Sequence, residues 1–239
     1  MSIEELSELQ DLRALVQLFL DVWGTSGEPP LNSDTLRALA HSGNYIAGIR
    51  GPEGLVGGAV GWFGRSASGK PILHSHILGV RAGSDAHGLG FALKQHQRSW
   101  CLARNVPTIE WTFDPLVRRN AHFNLTKLGA AASEYLVDFY GDMTDGINVG
   151  DESDRILIRW DLGSEKALAA AEGRPAQTSP GPEAVMVRVP EDIVAIRRHD
   201  PELARGWRTR VREELGGAMA RGSRVAGFTR EFEYVLEPN

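Results

Sequence analysis

The chain has 239 residues, a formal net charge of -5 and one cysteine, Cys101. That length buries a sizeable core unaided, the lone cysteine excludes an intramolecular disulfide, and the acidic balance argues against a nucleic-acid partner, whose binding draws on a basic surface. The acidic start, Met1 to Glu8, lacks the positive flank of a secretory signal, and no apolar run approaches the ~20 residues of a bilayer span, so the chain reads as cytoplasmic with no membrane partner.

Leu12, Leu15, Val16, Phe19 and Val22 stand at helical spacing and predict a helix over 11–23 that Gly24 stops; Ser33 or Asp34 opens a second, ending before Gly43. Tyr45 to Ile49 and Leu55 to Phe63, parted by Gly51, Pro52 and Gly54, read as a hairpin. Ile72 to Val80 reads as a buried strand and Gly88 to Arg104 as a helix with Leu89, Leu93, Trp100 and Ala103 on one face. Pro107 opens a strand over Thr108 to Phe113, and Asp114 and Pro115 lead into a helix stopped by Gly129. The middle of the chain is thus strand, helix, strand, helix, for which a right-handed crossover is the default.

Tyr135 to Tyr140 and Arg155 to Trp160 read as further strands around a long ordered loop. Residues 163–183 turn to Ala, Gly, Pro and Ser, the composition of a connector, with a short helix over Ser164 to Ala171. Beyond it come a strand over Val185 to Val189, an amphipathic helix over Pro201 to Arg221 and an apolar alternation through Phe228, Phe232, Tyr234 and Leu236. The expected division is a core of 1–162, a connector of 163–183 and a strand–helix–strand extension of 184–239 packed on the core.

The run from Leu78 to Leu93 ends a strand, turns through Gly79, Gly83, Gly88 and Gly90, and opens a helix. Such a turn sets free amide N–H groups at the positive end of a helix dipole, which suits a pyrophosphate. A dinucleotide fingerprint needs a small residue where Leu93 stands, although Glu110 lies near the expected acid position; a nucleotide-triphosphate loop needs a Gly-Lys-Ser/Thr run that does not follow.

Leu78 and Val80, then Gly88, Leu89 and Gly90, then helix, strand and a helix ending Lys127, Leu128 and Gly129, resemble the core of the GNAT acyltransferase superfamily. His74 to His76, Trp111 to Leu116, Arg119 to Asn124 and Asp138 to Gly141 resemble a branch of it linked to N-acyl amino acid metabolism. The resemblance implies an α/β fold with a mixed, mostly antiparallel sheet, flanking helices, and fourth and fifth strands (72–80 and 108–113) splayed around a pantetheine arm. It implies acyl-CoA, acetyl or succinyl, as co-substrate, without a metal, and a small primary amine as acceptor. The arm would pair with backbone near Leu78 and Val80, the pyrophosphate would take the amides of His87, Gly88, Leu89, Gly90 and Phe91, and Asn120 and Asn124 would face the arm. Asp85 departs from the family's Gln or Arg, and Leu125 stands where many members carry a tyrosine general acid, which leaves Tyr135, Tyr140 or water for that part.

His74 and His76, two apart on a strand, share a sheet face. They read as a hydrogen-bonded core pair, as metal ligands lacking a third partner, or as the base; many relatives place a glutamate base at the level of His74, with His76 one pleat nearer the cofactor. Asp114 fits an Asp-Pro turn or a partner for a substrate amine, and Asp151, Asp154 and Arg155 a loop-anchoring ion pair. The rival functions are a non-catalytic acyl-CoA or nucleotide-binding module and a dinucleotide-dependent oxidoreductase. The oligomeric state, a homodimer included, is open.

Overall fold

A computed structural model describes residues 1–24, 29–83, 87–141 and 151–238. Asp85 and most of the loop expected after Gly141 lie outside the described residues. The chain divides into two compact units, Met1–Glu110 and Trp111–Asn239. The fold is mixed α/β, with mostly antiparallel strands and flanking helices.

In the first unit, β1 (Ile3–Glu5), which has no sequence signal, pairs antiparallel with β2 (Tyr45–Gly51). Helices α1 (Leu9–Trp23) and α2 (Ser33–His41) lie between them in the chain. Helix α1 buries Leu12, Leu15, Leu18 and Phe19, an apolar stripe at the 3.6-residue period, and ends on Gly24 in the left-handed region. Asn32, one residue before the expected start, caps α2 by accepting the Thr35 amide at 2.8 Å. These faces meet Leu6, Leu36, Ile46, Leu55 and Val60 in one core cluster. Strand β2 pairs antiparallel with β3 (Gly54–Arg65), and β3 with β4 (Pro71–Val80). Helix α3 (Leu89–Leu102) crosses to β5 (Thr108–Phe113), which runs parallel to β4. Leu73 pairs with Ile109 and His74 with Glu110, and β4 itself continues to Val80.

The last residues of β5 belong to the second unit, where the strand order is β5-β7-β6. Helix α4 (Arg118–Ala121) continues as a π-helical turn over His122–Lys127, so the helix expected up to Gly129 is wider-wound in its second half. Strand β6 spans Ala131–Leu136 and pairs with β7 (Arg155–Asp161). It ends earlier than the apolar residues as far as Tyr140 suggest, because Asp138 takes a left-handed φ of 43° and its carboxylate accepts from the Ser153 amide and hydroxyl at 3.0 Å. Turn chemistry there overrides the alternation.

After α5 (Glu165–Ala171) come β8 (Val185–Arg188), α6 (Ile193–His199), α7 (Pro201–Val211), a π-helical turn over Arg212–Gly216 and α8 (Gly217–Ala220). The single helix expected over 201–221 is thus three segments, and α6 is additional. The closing alternation is a hairpin: β9 (Arg224–Phe228) and β10 (Glu233–Glu237) flank a turn closed by Thr229 N–H to Glu233 O at 2.9 Å. With β8 they form a sheet of order β8-β10-β9. The Tyr234 hydroxyl donates to Pro115 O at 2.8 Å and Thr126 Oγ1 to Phe228 O at 3.3 Å, tying this sheet to the segment that follows β5.

Candidate active site

The β3–β4 pairing changes register in front of the two histidines. Val60 faces Ile77, but the next residue of β3, Gly61, faces Ser75, so β4 carries one extra residue at His76. Such a bulge leaves the extra peptide outside the ladder and re-aims its side chain. Gly61 is needed for the approach: a Cβ there would lie 2.8 Å from His74 O. The two imidazoles flank one indole, Trp62 lying 5.2 Å from His74 and 4.5 Å from His76 between ring centres, with the imidazoles 5.9 Å apart. Trp62 stands opposite His74 in the ladder, which is how one indole reaches both rings. Neither imidazole hydrogen-bonds to any described residue, unlike His96, whose Nδ1 lies 2.9 Å from the Tyr45 hydroxyl.

Burial sets the charge of the pair. It pushes His74 below the ordinary histidine value, with Lys94 adding to the effect, and pushes His76 down to about 4, with His74 adding to it. Both rings are therefore neutral near pH 7, the form that accepts a proton. Lys94, on α3, is buried and donates to Ser75 Oγ at 2.8 Å and to Gln97 Oε1 at 3.3 Å. Burial pushes Lys94 down to about 7. Cys101 is buried too and its thiol is pushed up to about 12 by burial, so it is a packed thiol and no ready nucleophile.

Leu78 and Val80 sit at the end of β4, paired with Ala59 and Gly57 of β3. Gly88 is the N-cap of α3, with φ of 83°, and no side chain caps the helix. Ala92 N–H bonds to Gly88 O at 2.9 Å, so the amides of Leu89, Gly90 and Phe91 precede the helical ladder, next to exposed His87. A Cβ on Gly90 would meet only Leu78 Cδ2, at 3.8 Å. The segment thus leads from the end of β4 to a helix N-terminus that no side chain caps, which suits a phosphate group.

In the second unit, Asn120 is half-buried on α4, and Asn124 is 3% exposed in the π-helical turn with no hydrogen bond from its amide to a described residue. Leu125 is buried. Tyr135 donates to Asp154 Oδ2 at 2.7 Å, and burial raises its pKa with Asp154 adding to the rise. The Tyr140 hydroxyl lies 3.1 Å from Thr112 Oγ1. Asp114 makes the turn expected of an Asp-Pro pair, accepting the Leu116 amide at 2.9 Å, and its carboxylate is held by Arg197 and by Arg208 at 3.0 Å. Asp151 joins the same two arginines at 2.8 Å, while Asp154 takes Arg212 at 2.6 Å. These acids anchor the chain.

Sequence reasoning missed the bulge at His76 and the burial of Lys94. Trp62 had a signal only as an aromatic residue in a strand.

No protein-family model matches the chain, and no curated protein does. Solved structures do match. Naa20 of Chaetomium thermophilum, in complex with a bisubstrate analogue, matches over 69% of this chain and 90% of its own, at 16% identity and a TM-score of 0.54. Naa50 of Arabidopsis thaliana, in complex with a bisubstrate analogue containing CoA, matches over 66% and 96%, at 18% identity and a TM-score of 0.51. An aminoglycoside 6'-acetyltransferase of type Ii matches over 69% and 99%, at 15% identity and a TM-score of 0.52. The fold is that of the GNAT acetyltransferases. The likeness spans about two thirds of this chain and nearly the whole of each neighbour.

Proposed function

We propose that the chain is an acyltransferase that moves an acyl group from a CoA thioester to a primary amine, with His74 as the base. The carrying observation is the pair of neutral imidazoles, without a hydrogen bond among the described residues, set at a bulge of β4, followed along the chain by the open amides of α3. An amine is mostly protonated near pH 7, so a base must take its proton before the nitrogen attacks the thioester carbonyl. The C–N bond forms, the proton passes to His74 directly or through one water, and the C–S bond breaks to release a thiolate. Nitrogen sheds a second proton as the amide forms, and the thiolate, a fair leaving group, takes up that proton through solvent. His76 supports His74, and its peptide, outside the β3 ladder, is available to the thioester carbonyl.

In this reading the pantetheine arm pairs with backbone at Leu78 and Val80, and the pyrophosphate is bound by the amides of His87, Gly88, Leu89, Gly90 and Phe91. Asn120 and Asn124 are assigned to the same arm by the sequence resemblance. The acyltransferase is assigned to residues 1–162, with 184–239 as its packed extension. The acyl group is acetyl or succinyl and the acceptor a small amino acid-like amine, supported by the branch resemblance and by a net charge of -5, which gives no sign of a basic docking surface for acidic proteins.

The test is a thermal-shift series with CoA, acetyl-CoA and succinyl-CoA, followed by free-thiol release in the presence of amino acid mixtures and mass spectrometry of the products. A ligand that binds the native state alone raises Tm. Indifference to all three CoA species sinks the reading; acylation of proteins with none of free amino acids removes the small acceptor and leaves the transferase.

A further inference from the structure

A cleft of about 530 Å³ lies within the second unit, away in sequence from every residue assigned above to catalysis. That volume is in the range of small-molecule sites, roughly 300–1,000 Å³. Its lining includes buried Val189 and Pro190, with aromatic surface from Trp207 of α7 and Phe232 of the β9–β10 turn. Phe232 holds a left-handed φ of 65°, unfavourable for a bulky side chain and retained where a site over-determines the backbone.

The charges on its rim are of two kinds. Arg118 is already used: its guanidinium stacks 4.0 Å from the centre of Phe232 and pairs with Glu191 at 3.1 Å. Arg210 is paired with Glu214 at 2.9 Å. Arg188 and Glu231 are exposed and have neither an ion pair nor a side-chain hydrogen bond among the described residues. The β8–β10 register places Arg188 opposite Glu233, two residues from Glu231, and Val189 N–H reaches Phe232 O at 3.4 Å. An unpaired cation at the end of β8 and an unpaired anion in the β9–β10 turn thus line one cleft that also holds apolar surface.

We infer that this cleft binds a zwitterionic small molecule with an apolar body, an aromatic α-amino acid, its carboxylate on Arg188 and its ammonium on Glu231. An anion alone meets Glu231 as a like charge, a cation alone meets Arg188, and a neutral apolar molecule uses neither. The inference concerns binding without CoA and stands whether or not the chain transfers acyl groups.

The test is calorimetric titration of the full chain, free of CoA, with L-phenylalanine, 3-phenylpropionate and 2-phenylethylamine. L-Phenylalanine should bind at least roughly tenfold more tightly than either analogue, since each lacks one charge-assisted contact. Arg188→Ala should bring L-phenylalanine down to the level of the amine, and Glu231→Gln down to that of the acid. Both side chains are exposed, so the variants should keep the wild-type Tm. No binding of L-phenylalanine at millimolar concentration overturns the inference. So does equal binding of all three probes, which makes the cleft merely apolar, or binding that neither variant changes.

Discussion

The indole of Trp62 lies 4.5 Å from the imidazole of His76, the two planes inclined by 34°, and also flanks His74 at 5.2 Å. Cover of this kind keeps water from the rings, and burial is the first cause of the lowered pKa of both. Trp62→Leu should therefore let the imidazoles move back toward the ordinary histidine range. Under the proposed function the base works as neutral imidazole, so the acid limb of kcat/KM should shift to higher pH in the variant. An unmoved limb with a merely lower rate would show that Trp62 only packs.

Under the proposed function the two histidines have different parts, which substitution separates. His74→Ala should lower kcat by about 10²-fold and remove the acid limb, while the thermal shift with CoA stays near wild type. His76→Ala should cost less and keep the limb. Near-normal turnover in the His74 variant, with an unchanged profile, would transfer the role of base to His76 or to a bound water.

Lys94 gives a stability prediction of definite sign. Burial lowers its pKa to about 7 in the fold, against 10.5 for an ordinary lysine, so between these values the unfolded chain holds the extra proton. Stability contributed by this site then rises with pH across that window, and below about pH 7 the cost of the buried charge is present in full. Lys94→Met should remove that slope and raise stability near neutral pH by roughly 2 kcal/mol, the loss of the bond to Ser75 offsetting part of the gain. Urea unfolding at pH 6.5 and 9.5 checks it; a variant that keeps the wild-type slope would show that Lys94 is not its source.

The parts legible in sequence were those written locally. The change from a two-residue to a 3.6-residue period around Gly88 and Gly90 marks β4, the turn and α3, and Asn120 to Gly129 marks the next helix. The bulge at His76 was not legible, because it is a property of the pairing with β3 and arises from how Gly61 meets Ser75. Nor was the burial of Lys94: it follows Leu93 on α3, and a lysine beside an apolar face ordinarily snorkels to solvent. The alternation from Phe228 to Leu236 fits one strand as well as two, and only the turn at Thr229 to Glu233 decides between them.

Two glycines near the site should respond oppositely. A side chain at Gly61 meets His74 O at 2.8 Å, so Gly61→Ala must push β3 from β4 at the bulge, costing about 1–3 kcal/mol and lowering kcat. Gly90 has room, its nearest neighbour being Leu78 Cδ2 at 3.8 Å, so Gly90→Val should leave the ligand-free Tm within a few degrees and abolish the shift with CoA. Retention of the full CoA shift by Gly90→Val would move the pyrophosphate away from these amides.

Asp114 governs the second unit. Burial alone would raise its pKa, but the charges of Arg208 and Arg197 and their hydrogen bonds outweigh it and hold the carboxyl at about 2. The arginines come from α6 and α7, far along the chain, and they also grip Asp151. Asp114→Ala leaves two buried guanidinium groups short of an anion, and removal of one partner from a buried ion network costs about 3–5 kcal/mol. The lowered pKa makes this contribution present above the ordinary carboxyl value near 3.8 and lost as pH falls toward 2. Urea unfolding should show the large loss in Asp114→Ala at pH 7 and a smaller gap between variant and wild type at pH 3. A variant as stable as wild type at pH 7 would mean that Asp151 alone satisfies both arginines, and that the link from β5 to the C-terminal helices rests on Tyr234 and its bond to Pro115.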